Sequence, residues 1–252
     1  MFFKEKNQWI SGKNALKEAI ATGQLLQKVF LNENLEKETL YELLKLCRKQ
    51  HIPVVQVPKF KLDKLSKSNH QGVLGLINPI EFWDPEDLIQ QAFDQGKNPG
   101  LLYLDGLTDV RNFGAICRTA EVFGLTGVMM GQKNAAPINE EAIKASAGAL
   151  LRLPIVQLKD PGFVLKKLKR QGMTIIACSE KAELPVSKAE LGKSCVLVLG
   201  SEGTGIQNSI LDLCDELISI PQAGEIQSLN VSIAAGIICY EWMNAVNKIQ
   251  NG

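Results

Sequence analysis

Residues 101–124, LLYLDGLTDVRNFGAICRTAEVFG, pass from an apolar run through a polar loop into an amphipathic run. LLYLD is nearly all apolar before Asp105, as expected of a strand that helices cover on both faces. The same succession of strand, loop and helix recurs to residue 249. Further strand candidates are GVMM, PIVQL, MTIIAC, CVLVLG and ELISIP, and helix candidates span 111–123, 139–150, 161–171, 206–214 and 230–249. This alternation predicts an α/β fold built on a mostly parallel sheet.

Working outward, residues 10–80 read as a smaller α/β unit: helix GKNALKEAIAT, strand KVFL, helix LEKETLYELLKLCRKQ, then strands PVVQV and GVLGLI. Leu40, Leu43, Leu44 and Cys47 recur at helical spacing and form an apolar stripe. The stretch NPIEFWDPEDLIQQAFDQGKNPG, rich in Pro and acids, reads as a linker that includes one helix turn or more. The expected organisation is a first domain at 1–80, a linker at 81–100 and a second domain at 101–252.

The net charge of +1 conceals an asymmetry. Residues 1–80 carry 13 Lys/Arg and 7 Asp/Glu (net +6), whereas 81–252 carry 15 and 20 (net −5). Either the first domain meets something anionic, such as nucleic acid, or it has a solvated lysine-rich face. Six cysteines stand alone without a C-x-x-C pair, and only two histidines are present, so no metal site is expected. No apolar run approaches membrane-spanning length, and the charged start MFFKEKNQWI does not read as a signal peptide, so a cytoplasmic protein is expected.

Three unusual loops fall after strands on the rim where α/β sheets bind ligands. The loop of LGSEGTGI (199–206) has three glycines that let a ligand approach the backbone. It lacks the P-loop lysine and the dinucleotide glycine order, and Glu202 would repel phosphate. Arg111 and Arg118 flank NFGAIC and share a helical face. They are either ordinary exposed arginines or, because the neighbours of Arg118 favour burial, partners of a carboxylate or an anionic substrate. Asn112 reads as a helix cap or an orienting polar group. In ISIPQAGEIQSLNVSIAAGI (218–237), Ser228 or Asn230 can cap the helix that follows, or their loop can lie against a ligand.

Taken together, NFGAICRTAEVFG, LVLGSEGTG and ISIPQAGEIQSLNVSIAAGI resemble the three signature motifs of SpoU-type (TrmH-like) RNA ribose 2′-O-methyltransferases of the SPOUT superfamily. Through GKNALKEAI and NHQGVLGLI, the amino-terminal part resembles the L30-like RNA-binding domain of RlmB-like 23S rRNA guanosine 2′-O-methyltransferases. One departure is Gln222, where the family commonly has methionine.

The resemblance implies a trefoil-knotted methyltransferase domain that binds S-adenosylmethionine through the backbone at Gly200, Ile220 and Leu229. It also implies a homodimer whose active site borrows residues across the interface. Arg118, Asn112, Glu202, Ser228 and Asn230 fall at its catalytic positions. By the same resemblance, Arg118 either contacts the ribose 2′-oxygen as a base or anchors phosphate and developing negative charge. The expected substrate is 23S rRNA at a guanosine, with tRNA the rival. A non-catalytic RNA-binding protein of the same fold is the alternative of a different class, and an NAD-dependent oxidoreductase is disfavoured by the missing fingerprint.

Overall fold

The computed structural model describes residues 9–21, 26–77, 80–225 and 228–251. The charged start at 1–8, Asn78 and Pro79 of the expected linker, and Ile226 and Gln227 of the third loop lie outside these residues. The chain divides into two compact units, Met1–Glu81 and Phe82–Gly252.

The first unit runs β1 (Trp9–Ser11), α1 (Lys13–Ala21), β2 (Leu26–Asn32), α2 (Lys37–Lys49), β3 (Val54–Val57), α3 (Lys59–Leu65) and β4 (Val73–Ile77). Its sheet has the order β1-β4-β2-β3; β4 is antiparallel to both neighbours, and β2 and β3 are parallel. The expected stripe on α2 packs inward, with Leu43 and Cys47 fully buried and Leu40 and Leu44 against them, facing Leu16, Val29 and Leu31. Two elements were not expected. β1 is a three-residue edge strand, and α3 is a two-turn helix pinned by the buried Leu62. Both are too short to show a period.

The second unit begins with α4 (Pro85–Asp94) in the stretch 81–100 that was expected to be a linker. The helix expected within that stretch starts on a cap: Asp84 accepts from the N–H groups of Glu86 and Asp87, and Pro85 occupies its first turn. Leu88 and Ile89 enter the core beside Leu101, Tyr103 and Met129, and each contributes about 1.5–3 kcal/mol by burial. Trp83 N–H also donates to Ile155 O (2.9 Å), so this segment is built into the second unit.

There follow β5 (Gly100–Asp105), α5 (Val110–Val122), β6 (Gly127–Gly131), α6 (Glu140–Ala145) and β7 (Ile155–Leu158). Next come α7 (Pro161–Arg170), β8 (Thr174–Cys178), β9 (Leu184–Pro185), β10 (Cys195–Gly200), α8 (Asn208–Leu211), β11 (Glu216–Ser219) and α9 (Val231–Asn251). All pairings in the seven-stranded sheet are parallel, in the order β7-β6-β5-β10-β8-β11-β9. Every residue of β5 is buried, as its continuous apolar run predicts.

The helix expected at 206–214 shrinks to the four residues of α8, because Asp215 N–H already donates to Ile175 O and draws the chain into β11. The helix expected at 139–150 breaks after α6 at Ala147 and Gly148, both at positive φ. α9 returns over α5 and β10 and buries Val231, Ala235, Ile238 and Trp242 at helical spacing. This return brings the third loop beside the other two.

Candidate active site

At the carboxyl ends of β8, β10 and β11, three loops enclose a cavity of about 630 Å³. Gly200, Ile220 and Leu229 line it, as do Glu202, Ser228 and Asn230. Its tightest wall is the turn after β10. Ser201 N–H donates to Gly205 O (3.2 Å) and Gly205 N–H to Ser201 O (3.0 Å), which folds the chain back onto Gly200. A Cβ on Gly200 would lie 2.1 Å from the Gly205 carbonyl carbon, so only glycine fits.

This turn is anchored by a residue that sequence reasoning missed. Asp105, the last residue of β5, is 1% exposed. It accepts from the backbone N–H and side-chain amide of Gln207, both at 2.7 Å, and from the Tyr103 hydroxyl at 3.2 Å. Burial, and then the Asp105 carboxylate, push the Tyr103 hydroxyl pKa up. The sequence signal was available: a carboxylate ending an apolar strand needs partners wherever it is buried.

Three site residues far apart in sequence meet at the cavity rim. Glu202 Oε1 accepts from Asn112 Nδ2 (3.0 Å), from Asn230 Nδ2 (2.5 Å) and from the N–H of Val231 (3.5 Å). Asn230 Nδ2 also reaches Asn112 Oδ1 at 3.2 Å. Asn230 caps α9, its Oδ1 accepting from the N–H of Ser232 at 2.9 Å. Asn230 therefore caps the helix, and Ser228, Leu229 and Asn230 line the cavity. The carboxylate sits at the positive end of α9, where the helix dipole favours it.

Arg118 is not among the residues that meet there. The buried stripe of α5 is Phe113, Ile116, Cys117 and Ala120, and Arg118 lies off it, exposed. Among the described residues it has no hydrogen-bond or ion-pair partner, and it does not line the cavity. Of the two readings left open, the exposed arginine holds and burial beside an acceptor does not, because its apolar neighbours form the buried stripe and Arg118 lies outside it. Arg111 is likewise exposed and pairs with Glu141 (3.0 Å), a surface contact worth little. The Glu141 hydrogen bond and charge raise the guanidinium pKa further.

Apolar side chains, backbone groups and glycines make up much of the wall. The charged lining consists of Glu180, Lys181 and Glu202, an excess of carboxylate that disfavours a phosphate ligand. A neutral nucleoside bearing a cationic centre, as in S-adenosylmethionine, suits this donor set. No group of three or more metal-binding side chains occurs among the described residues. No helix among them is long and apolar enough to cross a membrane.

The SpoU rRNA Methylase family profile matches residues 99–240, more than half of the chain and the whole of the cavity. The chain belongs to the SpoU rRNA methylase family. A second profile, RNA 2′-O ribose methyltransferase substrate binding, matches residues 9–83 of this SpoU protein. It is 35% identical over 240 residues to a protein of Staphylococcus saprophyticus assigned to the TrmH family of tRNA/rRNA methyltransferases, covering 95% of this chain and 96% of the relative. It is 32% identical over 245 residues to YacO of Bacillus subtilis, assigned likewise, covering 97% and 98%.

Among solved structures, the SpoU methyltransferase AviRb from Streptomyces viridochromogenes, in complex with AdoMet, superimposes with a TM-score of 0.60 at 24% identity, covering 97% of this chain and 91% of AviRb. The TrmH/SpoU tRNA modifying enzyme of A. aeolicus gives 0.55 at 27% identity, covering 66% of this chain and 85% of that one.

Proposed function

We propose that this SpoU-family protein transfers the methyl group of S-adenosylmethionine to a ribose 2′-hydroxyl of RNA, at a guanosine of 23S rRNA, in the cytoplasm. The observation that carries this reading is the cavity itself: a phosphate-averse pocket on Gly200, Ile220 and Leu229, with the Asn112–Glu202–Asn230 cluster at its rim. The cofactor supplies an activated methyl group on a sulfonium. The chain must place the 2′-oxygen against that methyl and accommodate the departing proton.

Glu202 acts here as a positioning residue. Its hydrogen bonds hold Asn112 and Asn230 together and fix the loop at Ser228 on the cavity wall, where the acceptor ribose is to be placed. Arg118 supplies a guanidinium for the RNA phosphate, where the cavity's own lining carries two carboxylates and a single lysine. A guanidinium has five donors and no acceptor, so its role is to hold the neighbouring RNA phosphate and stabilise charge developing on the 2′-oxygen.

Because Arg118 is exposed and does not line its own cavity, it serves the site of a second copy, and the working form is a homodimer. On the same outward side of α5, Val122 is 65% exposed, and on α9 Ile233 and Tyr240 are 55% and 48% exposed. The Phe123 and Tyr240 rings meet edge to face, joining the two helices into one surface. Large apolar side chains beside an unpartnered arginine suit a dimer interface better than a solvated face. The family reading also implies that the path through β10, β11 and α9 is knotted.

Mapping 2′-O-methyl groups on 23S rRNA and tRNA from cells with and without the gene tests the assignment. One rRNA guanosine should lose its mark. A lost mark on tRNA alone would overturn the rRNA target, and no lost mark together with no calorimetric binding of S-adenosylmethionine would overturn the activity.

A further inference from the structure

We infer that Glu180 selects the sugar of the cofactor, its carboxylate accepting from the neighbouring 2′- and 3′-hydroxyls of an adenosine. The inference rests on the S-adenosylmethionine reading above and adds which part of that molecule a side chain of this protein reads. Glu180 lies on the turn that follows β8 and lines the cavity. Of the two carboxylates in the lining, Glu202 is spent on Asn112, Asn230 and the N–H of Val231. Glu180 has no hydrogen-bond or ion-pair partner among the described residues.

The turn that carries Glu180 is fixed by its backbone. Ser179 N–H donates to Ile218 O (2.9 Å), which ties the turn to β11, and Ala182 N–H donates to Ser179 O (3.1 Å) across it. The Ser179 hydroxyl also accepts from Lys181 N–H at 3.3 Å, so Glu180 and Lys181 occupy the tip. Burial, and then the Glu180 charge, push the Cys178 thiol up to about 12, in keeping with a carboxylate turned toward the cavity floor.

The place of this turn in the sheet decides what it meets. With the strand order β5-β10-β8-β11, the Asn112–Glu202 end of the cavity lies on the β5 and β10 side, and Glu180 on the β8 and β11 side. The reacting methyl belongs at the first end. Cys178, Leu199 and Ile220, at or just past the ends of three neighbouring strands, give an apolar floor that suits an uncharged adenine. The ribose of an adenosine on that floor meets the residue two positions past Cys178. A carboxylate only accepts, and its two oxygens match two adjacent hydroxyls; dinucleotide sites mark the same sugar with an acidic side chain. The amino-acid tail, which bears an ammonium and a carboxylate, belongs toward solvent.

The test titrates the full chain calorimetrically with 5′-methylthioadenosine, its 2′-deoxy form and S-adenosylhomocysteine, none of which carries a sulfonium. The wild type should prefer 5′-methylthioadenosine over the deoxy form by about 10-fold or more, the scale of a hydrogen bond to a charged group. Glu180→Ala should bind 5′-methylthioadenosine and S-adenosylhomocysteine more weakly by the same factor, about 10-fold or more, and lose the preference for ribose, with Tm unchanged. Glu180→Gln, which keeps one accepting oxygen without the charge, should fall between. Glu183→Ala removes the same charge from an exposed residue of the same loop outside the cavity lining, and should change each affinity less than about 3-fold.

Equal binding of the ribose and deoxyribose probes by the wild type, or an equal loss in Glu183→Ala, would overturn the assignment. So would a loss in Glu180→Ala confined to S-adenosylhomocysteine, which would put the carboxylate on the ammonium of the tail. A wild type that binds none of the probes would strike the cofactor reading and Glu180 with it. The expected binding pattern in a protein that methylates no RNA would strike the activity and leave Glu180 in place.

Discussion

Replacing Gly200 by alanine tests the cavity directly. The added Cβ would lie 2.1 Å from the Gly205 carbonyl carbon and 2.4 Å from both its oxygen and the Ile206 nitrogen. Carbon atoms settle about 3.5–4.0 Å apart, so the turn must retreat by about 1.4 Å or more. Its freedom to do so is small. β10 is fixed by ladders to β5 and β8, and Gln207 is held by two bonds to the buried Asp105. Overpacking of this kind costs about 1–3 kcal/mol.

If the turn keeps its shape, the strain appears in the free protein as a fall in Tm of about 2–12 °C, at about 2–4 °C per kcal/mol for a chain of this size. If the turn gives way, the cavity wall moves instead, and S-adenosylmethionine affinity falls by about 5- to 150-fold. Calorimetric titration and thermal unfolding of the wild type and the Gly200→Ala protein read both outcomes. An alanine protein with unchanged Kd and unchanged Tm would refute the close approach, and with it the pocket argument.

Arg118→Ala should abolish methyl transfer with Tm and S-adenosylmethionine affinity unchanged, and Asn230→Ala should abolish it with a loss of about 1 kcal/mol of stability from the missing cap. Mixing the two inactive proteins should restore about a quarter of wild-type activity, since half of the dimers are mixed and each mixed dimer has one complete site; no recovery in a co-refolded mixture would exclude the shared site. Burial would raise the Asp215 carboxyl pKa, but the Ile175 N–H and the Lys169 ammonium (2.6 Å) outweigh it and hold the group below the usual range. That contribution is present above the unfolded value of about 3.9 and lost as pH falls through the lower folded value, so Tm between about pH 5 and 2 should fall less steeply in Asp215→Asn than in the wild type. Burial pushes Cys47 and Cys214 up to about 11 and Cys178, Cys195 and Cys239 up to about 12, with Cys117 also raised. Native protein at pH 8 should therefore react slowly with a disulfide reagent, and all six thiols should titrate promptly once it is unfolded.

How much of this was legible in the sequence follows from length and period. β5 and β10 announced themselves as apolar runs, and α2 as a stripe. β1, β9 and α3 span three, two and seven residues, too few to show a pattern. α4 was expected only as one helix turn or more, its extent left open because Asp84 and Pro85 serve a helix start as well as a turn. At the site, the glycine turn and the Ser228–Asn230 loop could be found by composition. The meeting of Asn112, Glu202 and Asn230 spans up to 118 residues of chain, and no local spacing encodes it; only family resemblance pointed to it. For Arg118 the sequence left exposure and burial both open, because the character of its neighbours was read instead of their phase on the helix. Counting from Phe113 in steps of three and four passes through 116, 117 and 120 and leaves it outside.

The cavity draws its walls from segments lying between Cys178 and Ala234, the last of them the entry to α9. None of these segments encloses anything alone. A chain emerging from the ribosome therefore has no pocket to offer until α9 has docked on α5, and a small molecule caught there works as a buckle between helix and sheet. Since it binds the closed form and not the open chain, its abundance in the cell sets how rarely that helix lifts away and how seldom a protease finds the seam.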